Sequence, residues 1–475
     1  MILCGRKEVK PTIPKGNGRP VMKEVAAKNM DVIIGSAVFL AGVITSVVLD
    51  IVLLAPLSLG FLCYAAIARV RGFGRLEVAK MSAEGAKESL LVVLSLLAIG
   101  AVSASWRACG TIAIFVHYGL ALITPHLFLL IAFLLCCVFS YALGTCFGTA
   151  GTIGIILVAI AEAGDVSVPM TAGAILSGGY FGDRFSPTSA SANLTAFVTK
   201  TDLYDNIEAM VKTTGLPFLL TAGIYGGLSY VNPLQTVDLA MDAQMQQGFE
   251  LHPVLLLPAA VMLLLPLFKV DMKIAALISA AAASAIAVVL QGMAPEEMLL
   301  SLLMGYAPAD AGLAELLAGG GLISMAKVCG IVFIACSYSK IINETGMFMD
   351  LVRGISKACG RIGTTQMTFL TGTILSGTFC TCTAAIIMSD VLLEDAYRET
   401  GADRRDLAVD IGNTVELTAT WVPWCTACVA TFSALAVSGD AILYGFYVFI
   451  LPIYYMLTKY IKERKNGRNS RLAAA

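Results

Sequence analysis

A polar stretch inside an apolar region is the first candidate for chemistry in this sequence. The segment GGYFGDRFSPTSASANLTA (178–196) combines an acid, Asp183, and a base, Arg184, with hydroxyl side chains and a proline. Proline in a helix interior removes a hydrogen bond and disfavours helix before it. Non-helical backbone at membrane depth is tolerated where it lines a cavity, and there its free groups can bind ions. We therefore expect a broken helix with a binding role, with Gly182 and Pro187 as helix breaks.

Two simpler interpretations of this break stay open. Its hydroxyls bond back to their own helix and pack closely, or Asp183 and Arg184 merely pair with each other. The functional interpretation is favoured because ionisable residues at membrane depth are costly and usually functional. On this interpretation Asp183 titrates, and Ser186, Ser189 and Asn193 supply neutral oxygens, which suit hard cations such as sodium.

The composition of the whole chain predicts a membrane protein. Its 475 residues are 57% hydrophobic and 14% charged, with a mean hydropathy of +0.81. Apolar runs repeatedly reach the length of about 17–25 residues that crosses a bilayer. The near-zero net charge argues against a nucleic-acid partner. The sequence has neither the GxxxxGK[ST] phosphate-binding motif nor the HExxH zinc motif, so we predict an all-α polytopic membrane protein that is not an enzyme.

The cysteines do not predict a metal centre. Cys380/Cys382 and Cys425/Cys428 have a spacing found in metal sites, but no histidine lies near either pair in sequence. We expect no cofactor and no metal beyond transported Na⁺.

Lysine and arginine predict the orientation in the membrane. Both ends of the chain are basic and therefore cytoplasmic, which requires an even number of crossings. Loops 232–250 and 292–319 contain no lysine or arginine, so they are predicted to be external.

An internal repeat is predicted at an offset of 236 residues, where SYALGTC (140–146) aligns with SGTFCTC (376–382) and Pro187 aligns with Pro423. A chance match is the alternative. The basic loops of the two copies fall on opposite sides, as in inverted-topology transporter repeats. We predict about ten transmembrane helices plus two re-entrant hairpins, with one proline-broken helix in each repeat.

This interpretation divides the chain into six parts. They are a cytoplasmic N-terminal arm (1–30); an N-terminal helix pair and basic cytoplasmic loop (31–88); inverted repeat 1 (89–212) with hairpin 127–163 and broken helix 169–199; inter-repeat helices and external loops (213–319); inverted repeat 2 (320–458) with hairpin 364–396 and broken helix 406–437; and a basic cytoplasmic tail (459–475).

The hairpin tips and the second broken helix supply further candidate site residues. The tips, GTCFGTAGT (144–152) and TFCTCTAA (378–385), are rich in small and hydroxyl residues. The candidates that they and the second broken helix contribute are Gly144, Thr145, Thr149, Thr381, Thr383, Asn413 and Glu416. We expect another acid, Asp410, near a membrane boundary.

The segment YFGDRFSPTSASANL (180–194) resembles the signature Y-F-G-D-K-x-S-P-x-S-D-T-T-N-L of the NhaC family of Na⁺/H⁺ antiporters. The resemblance includes SWRACGTI (105–112), EDAYRETG (394–401) and VPWCT (422–426), and covers roughly 85–465. It implies secondary active transport in a plasma (inner) membrane, most directly Na⁺/H⁺ antiport by alternating access. It also implies a mobile domain of hairpins and broken helices, a membrane-lipid environment and a homodimer.

The departures from the signature concern charge. Ala190 stands where the family has an acid, Cys425 where it has asparagine, and Glu416 where it tends to have threonine. We hypothesise that Asp183 and Glu416 are the titratable pair and that Glu416 replaces the missing acid. Alternatively the substrate has changed to a small carboxylate, such as malate or lactate, or to an amino acid, with Arg184 as counter-charge.

Overall fold

The chain is described by a computed structural model over residues 21–48, 54–122, 124–235, 248–268, 270–308, 310, 313–314, 317–348 and 363–473. Most of the predicted arm, most of loop 232–250 and the basic segment 349–362 lie outside these ranges. Within them the protein is almost entirely helical, and the one β-type pairing is an isolated bridge between Tyr306 and Gly319.

The helices of the described ranges are numbered here in chain order. They are α1 Val21–Val48, α2 Leu54–Val70, α3 Arg75–Cys109, α4 Thr111–Leu122, α5 Phe128–Leu143, α6 Cys146–Ala163, α7 Val168–Phe185, α8 Ala190–Thr199, α9 Leu203–Val231, α10 Leu257–Leu267, α11 Met272–Val289, α12 Pro295–Met304, α13 Ala326–Thr345, α14 Thr364–Phe379, α15 Cys382–Glu399, α16 (404–421), α17 Thr426–Ala434 and α18 Phe446–Ala473.

Two of these helices are irregular. In α6, residues Ala150–Gly154 form a π-helical turn. In α16, Arg404–Asp410 is α-helical, Ile411–Val415 is a π-helical turn, and the helix ends in a 3₁₀ turn, Ala419–Trp421. Single π-helical turns in α-helices are frequent at functional sites.

Several helices are suited to a membrane. Five segments of the described chain are long and apolar enough to cross a bilayer: Arg75–Cys109, Pro125–Leu143, Cys146–Ala163, Met272–Val289 and Ile323–Thr345. Shorter apolar helices accompany them. An all-helical chain of this kind satisfies its backbone hydrogen bonds internally, as lipid requires.

The two predicted repeats share their left-handed backbone positions, 236 residues apart. Four pairs of residues with positive φ fall at equivalent positions: Gly110/Gly346, Gly144/Cys380, Asp165/Gly401 and Lys200/Ala436. All four non-glycine residues with positive φ in the described ranges belong to this set. Because L-residues rarely adopt this conformation, the coincidence supports an internal repeat.

The proline breaks are built alike. The N–H of Ser189 donates to the carbonyl of Ser186 at 3.1 Å, and the equivalent N–H of Cys425 donates to Val422 at 2.9 Å. A new helix, α8 or α17, begins at the residue after this turn in each case. The hairpin tips match too, because a left-handed residue ends the first helix and a threonine caps the second.

Close packing joins hairpin 1 to the first broken helix. A Cβ atom built at Gly178 would lie 2.5 Å from the carbonyl oxygen of Phe133, and one at Gly182 would lie 2.2 Å from the amide nitrogen of Tyr141. Glycine on one face of α7 therefore lets it approach the backbone of α5, as small residues do in membrane helix pairs.

Several predicted boundaries need correction. Gly182 does not break its helix, because α7 continues to Phe185 and Gly182 instead provides the close contact with α5. The hairpin tips are narrower than expected, since Thr149 and Thr383 are already helical. Helix α3 crosses the predicted boundary at 88/89, because no proline interrupts it.

The end segments are also more helical than expected. Helix α1 begins at Val21, inside the predicted arm, and α18 continues through the predicted tail to Ala473.

Candidate functional site

Asp183 lies near the end of α7, where the first broken helix meets the tip of hairpin 1. Its Oδ1 accepts a hydrogen bond from the Ser189 hydroxyl at 2.6 Å, and its Oδ2 accepts from the backbone N–H of Cys146 at 3.1 Å. Cys146 is the first residue of α6, and helix N-termini favour negative charge. The carboxylate therefore ties the break to the hairpin tip.

Glu416 occupies the second broken helix, directly after its π-helical turn. Its side chain is buried, with 2% of its surface exposed, and its Oε1 lies 3.4 Å from the Thr195 hydroxyl, which donates to it. Thr195 is a buried residue of α8, in the first broken helix. The acid of one repeat thus contacts the other repeat.

The two acids share one polar region. Ser191 neighbours both carboxyl groups, and its hydroxyl lies 3.0 Å from that of Ser189. Asp183 and Glu416 are close enough for their charges to interact. Two neighbouring carboxylates repel each other, so a bound proton or cation would stabilise the pair. Carboxylate and hydroxyl oxygens are the ligands that hard cations prefer.

Arg184 is fully buried beside this region, and all its acceptors are neutral. One terminal nitrogen donates to the carbonyl of Gly412 at 3.2 Å and to Asn413 Oδ1 at 2.7 Å. The other donates to the hydroxyls of Thr214 and Tyr447, both at 3.1 Å. No carboxylate of the described residues forms an ion pair with Arg184, and its Nε–H has no acceptor there. The guanidinium connects α7, α9, α16 and α18.

The other predicted residues of the first break have mostly local roles. The Ser186 hydroxyl bonds to that of Thr188 at 2.7 Å. The exposed side-chain amide of Asn193 donates to the carbonyls of Pro187 and Ser189, at 2.9 and 2.7 Å. Both side chains thus bond to the broken segment itself, and the role of Ser186 and Asn193 as oxygen ligands beside the acids stays a prediction.

Threonines at the hairpin tips cap the following helices. Thr145 accepts from the N–H of Gly148 at 3.4 Å, and Thr381 accepts from that of Ala384 at 3.3 Å. Thr149, buried one turn later, donates to the carbonyl of Thr145 at 2.9 Å. None of these three threonines forms a hydrogen bond with a carboxylate among the described residues.

Gly144 brings the first tip against the first break. A Cβ atom there would lie 2.3 Å from the Thr188 hydroxyl, and its φ of +69° is left-handed. At this position glycine is needed both for conformation and for space. In contrast, Asn413 is committed to Arg184 through its oxygen and to Thr213 through its nitrogen, at 3.3 Å.

A cleft of about 520 Å³ opens between the second hairpin tip and helices α3 and α13. Thr381 and Thr383 line one side. The other side carries Lys340 and Glu88, which form an ion pair of 2.6 Å. Thr381 and Thr383 therefore border an accessible space, and within the described residues neither forms a hydrogen bond with Asp183 or Glu416.

No cluster of three or more histidine, cysteine, aspartate or glutamate side chains suited to a metal ion occurs in the described part of the chain. The Cys380 thiol instead contacts the Tyr338 hydroxyl.

The profile of the Na⁺/H⁺ antiporter family matches residues 19–196 and 180–460, which is most of the sequence. The chain belongs to the Na⁺/H⁺ antiporter family. The apolar helices and this membership make it a multi-pass membrane protein. The resemblance to NhaC antiporters is thereby confirmed.

Individual antiporters of different kinds resemble the chain over most of its length. It is 29% identical over 451 residues to a malate-2H⁺/Na⁺-lactate antiporter of Bacillus subtilis, covering 90% of this chain and 96% of that protein. It is 28% identical to the arginine/ornithine antiporter ArcD of Halobacterium salinarum, covering 87% and 88%. It is 24% identical to the Na⁺/H⁺ antiporter NhaC of Alkalihalophilus pseudofirmus, covering 89% and 94%.

Sequence reasoning missed several polar residues of this antiporter-family chain. Thr195 and Ser191 follow the break and were not among the candidates. Asp410, expected near a membrane boundary, is fully buried and accepts hydrogen bonds from Tyr397 at 2.5 Å and Tyr455 at 2.6 Å. These tyrosines lie on other helices, and nothing in the local sequence around Asp410 indicates them.

Proposed function

We propose that this protein exchanges Na⁺ for H⁺ by alternating access, with Asp183 and Glu416 as the groups that bind either ion. The observation that carries the proposal is the position of two carboxyl groups, one from each broken helix, around the shared neighbour Ser191. Family membership supports the same activity.

The pair suits competition between the two ions. A buried carboxylate is unfavourable unless a proton or a cation compensates it. Occupation by Na⁺ therefore favours release of a proton, and protonation favours release of Na⁺. Ser189, Ser191 and Thr195 supply the adjacent hydroxyl oxygens. No cofactor or enzymatic step is needed for this cycle.

The repeat and the cleft support access to the site from alternate sides. Lys340 borders the open cleft and begins the basic stretch 340–361, whose lysine and arginine residues predict a cytoplasmic location. The residue 236 positions before Lys340 is Ala104. Gly320 packs directly against it, and a Cβ atom built at Gly320 would lie 2.5 Å from the backbone nitrogen of Ala104. We propose that the protein is open to the cytoplasm and closed on the opposite side, with ten crossings, two re-entrant hairpins and both termini cytoplasmic in a plasma (inner) membrane.

The test uses proteoliposomes that contain the purified protein and a trapped pH-sensitive dye. After a proton gradient is imposed, Na⁺ should collapse it in the wild type and should not do so in Asp183→Asn or Glu416→Gln. Asp395→Asn is the matched control, because Asp395 is an exposed acid paired with Arg398 and should retain exchange. No response to Na⁺, Li⁺ or K⁺ from folded wild-type protein would contradict the proposal.

A second candidate function is the exchange of small carboxylates or amino acids coupled to Na⁺ or H⁺. The similarity to the malate-2H⁺/Na⁺-lactate antiporter and the size of the cleft favour it. Labelled malate, lactate and arginine should then accumulate in the same liposomes, and transport of the carboxylates would require Arg184 if it is their counter-charge. Cross-linking in membranes would test the expected homodimer separately.

A further inference from the structure

The π-helical turn of α16 and Arg184 fit each other. In a regular α-helix the N–H of Glu416 would donate to the carbonyl of Gly412, four residues earlier. Here this N–H donates to the carbonyl of Ile411 instead, which leaves the Gly412 carbonyl free of that bond. Arg184 donates to the freed carbonyl and, with the same nitrogen, to Asn413.

The turn determines where the Glu416 side chain points. A π-helical turn inserts one residue, and each residue of an α-helix corresponds to a rotation of about 100° around its axis. Without the turn, Glu416 would therefore face a different direction from the one in which it meets Thr195. A buried carbonyl released by such a turn needs a donor, and Arg184 provides it.

Arg184 is itself firmly held. Its other terminal nitrogen donates to Thr214 and Tyr447, and its guanidinium lies over the Phe185 ring at 4.6 Å. Four of the five guanidinium N–H donors are thus occupied by neutral groups of the protein. This leaves little capacity for a bidentate bond to a carboxylate substrate, which would have to displace these acceptors.

We propose that Arg184 is a positioning residue that holds the π-helical turn of α16 and thereby aims Glu416 at the ion site. The proposal rests on the proposed function for its effect on ions, but its structural claim concerns only Arg184, the turn and Glu416. It assigns Arg184 to the geometry of the acid pair and not to the binding of an organic anion.

The first test is a double-mutant cycle on binding of radioactive sodium to the purified protein. Arg184→Gln should weaken Na⁺ binding about tenfold. Glu416→Gln should weaken it roughly 100-fold, through loss of a charged ligand. Because Arg184 acts through Glu416, the double variant should bind no more weakly than Glu416→Gln alone. Multiplication of the two effects would overturn the proposal.

Arg404 provides the matched control. It lies on the same helix as Glu416 and also reaches the first broken helix, donating to the carbonyls of Thr199 and Val198 at 2.9 and 3.1 Å. Its contacts do not involve the π-helical turn, so any effect of Arg404→Gln should multiply with that of Glu416→Gln.

Two further variants separate geometry from charge. Arg184→Lys keeps the charge but cannot reach both pairs of acceptors, so it should not restore Na⁺ binding. Asn413→Ala removes the shortest bond of Arg184, and its effect should also disappear in the Glu416→Gln background. Full recovery in Arg184→Lys would overturn the positioning role.

A chemical readout keeps the proposal testable if the wild type neither binds nor exchanges Na⁺. A hydrophobic carbodiimide labels protonated carboxyl groups, and mass spectrometry locates the product. Arg184→Gln should change the labelling rate of Glu416 while that of Asp183 stays within about twofold of the wild type. An unchanged rate at Glu416 in folded Arg184→Gln would contradict the proposal independently of any transport assay.

Discussion

The two broken helices share a backbone plan but not their chemistry. Both are interrupted by the same proline-containing turn at positions 236 residues apart. The acids do not correspond, however. The repeat equivalent of Asp183 is Ala419, and that of Glu416 is Tyr180. The first acid is held next to the break by Ser189, whereas the second follows a π-helical turn that the first broken helix lacks.

This difference distinguishes the backbone geometry, which both copies share, from the charge, which individual side chains determine. The predicted repeat would supply two breaks and two hairpin tips around one region. The charge of that region depends on residues that depart from the family signature in one copy only. At Ala190 an acid of the signature is missing, and at Glu416 an acid is present where the family tends to have threonine.

The largest expected effect comes from moving the second acid from Glu416 to position 190, where the family signature has it. Glu416→Thr should abolish Na⁺-driven proton flux, because only one carboxylate remains in the site. Adding Ala190→Asp, at the first residue of α8, should restore flux to within about tenfold of the wild type. Flux in proteoliposomes is the measurement.

The control for this prediction is Glu416→Thr combined with Ala190→Asn, which has the size of the aspartate without its charge and should stay inactive. A folded Glu416→Thr/Ala190→Asp variant with no recovered flux would show that Glu416 does not replace the missing acid.

Substitutions at the N-caps of α8 and α17 should change the stability of the protein in opposite directions. Ser189→Ala removes both the cap of α8 and a donor to Asp183, so it should lower the free energy of unfolding by about 1–2 kcal/mol. Cys425 occupies the equivalent cap position without a side-chain hydrogen bond, so Cys425→Ser should raise that free energy by up to about 1 kcal/mol. Thermal unfolding in detergent measures both changes, and equal effects would show that the two breaks do not differ in capping.

The smallest predicted effect is on stability, at a non-glycine residue whose backbone has a positive φ. Ala436 has a φ of +57° and is exposed, so Ala436→Gly should stabilise the protein by about 1 kcal/mol. Ala430→Gly, inside helix α17, should instead destabilise it by about 1 kcal/mol or more. Destabilisation by both substitutions in the same assay would argue against strain at Ala436.

The sequence is sufficient to predict those parts of the fold that nearby residues determine. Pro187 and Pro423 indicate the breaks because proline cannot continue a helix, and the hydroxyl residues around the first break indicate buried polar backbone. The left-handed positions at Lys200 and Ala436 could not be predicted, because neither residue is a glycine. Here the tertiary structure overrides the local preference.

The candidate site was predictable in its acids but not in its contacts. Asp183 and Ser189 are near in sequence, which makes their hydrogen bond understandable from the break alone. The contact of Glu416 with Thr195 depends on a π-helical turn with no local sequence signal. The bond from Arg184 to Gly412 depends on the same turn.

The glycine contacts between hairpin 1 and the first broken helix have a mechanical consequence. At Gly144, Gly178 and Gly182 the two segments touch with no side chain of the glycine between them. Backbone contacts this close are typical of tightly packed membrane helix pairs, so we expect the hairpin and the broken helix to move together as one rigid body. The amide of Cys146 would then accompany the Asp183 carboxylate throughout the transport cycle, and the bound ion would not lose this part of its electrostatic environment on the way across.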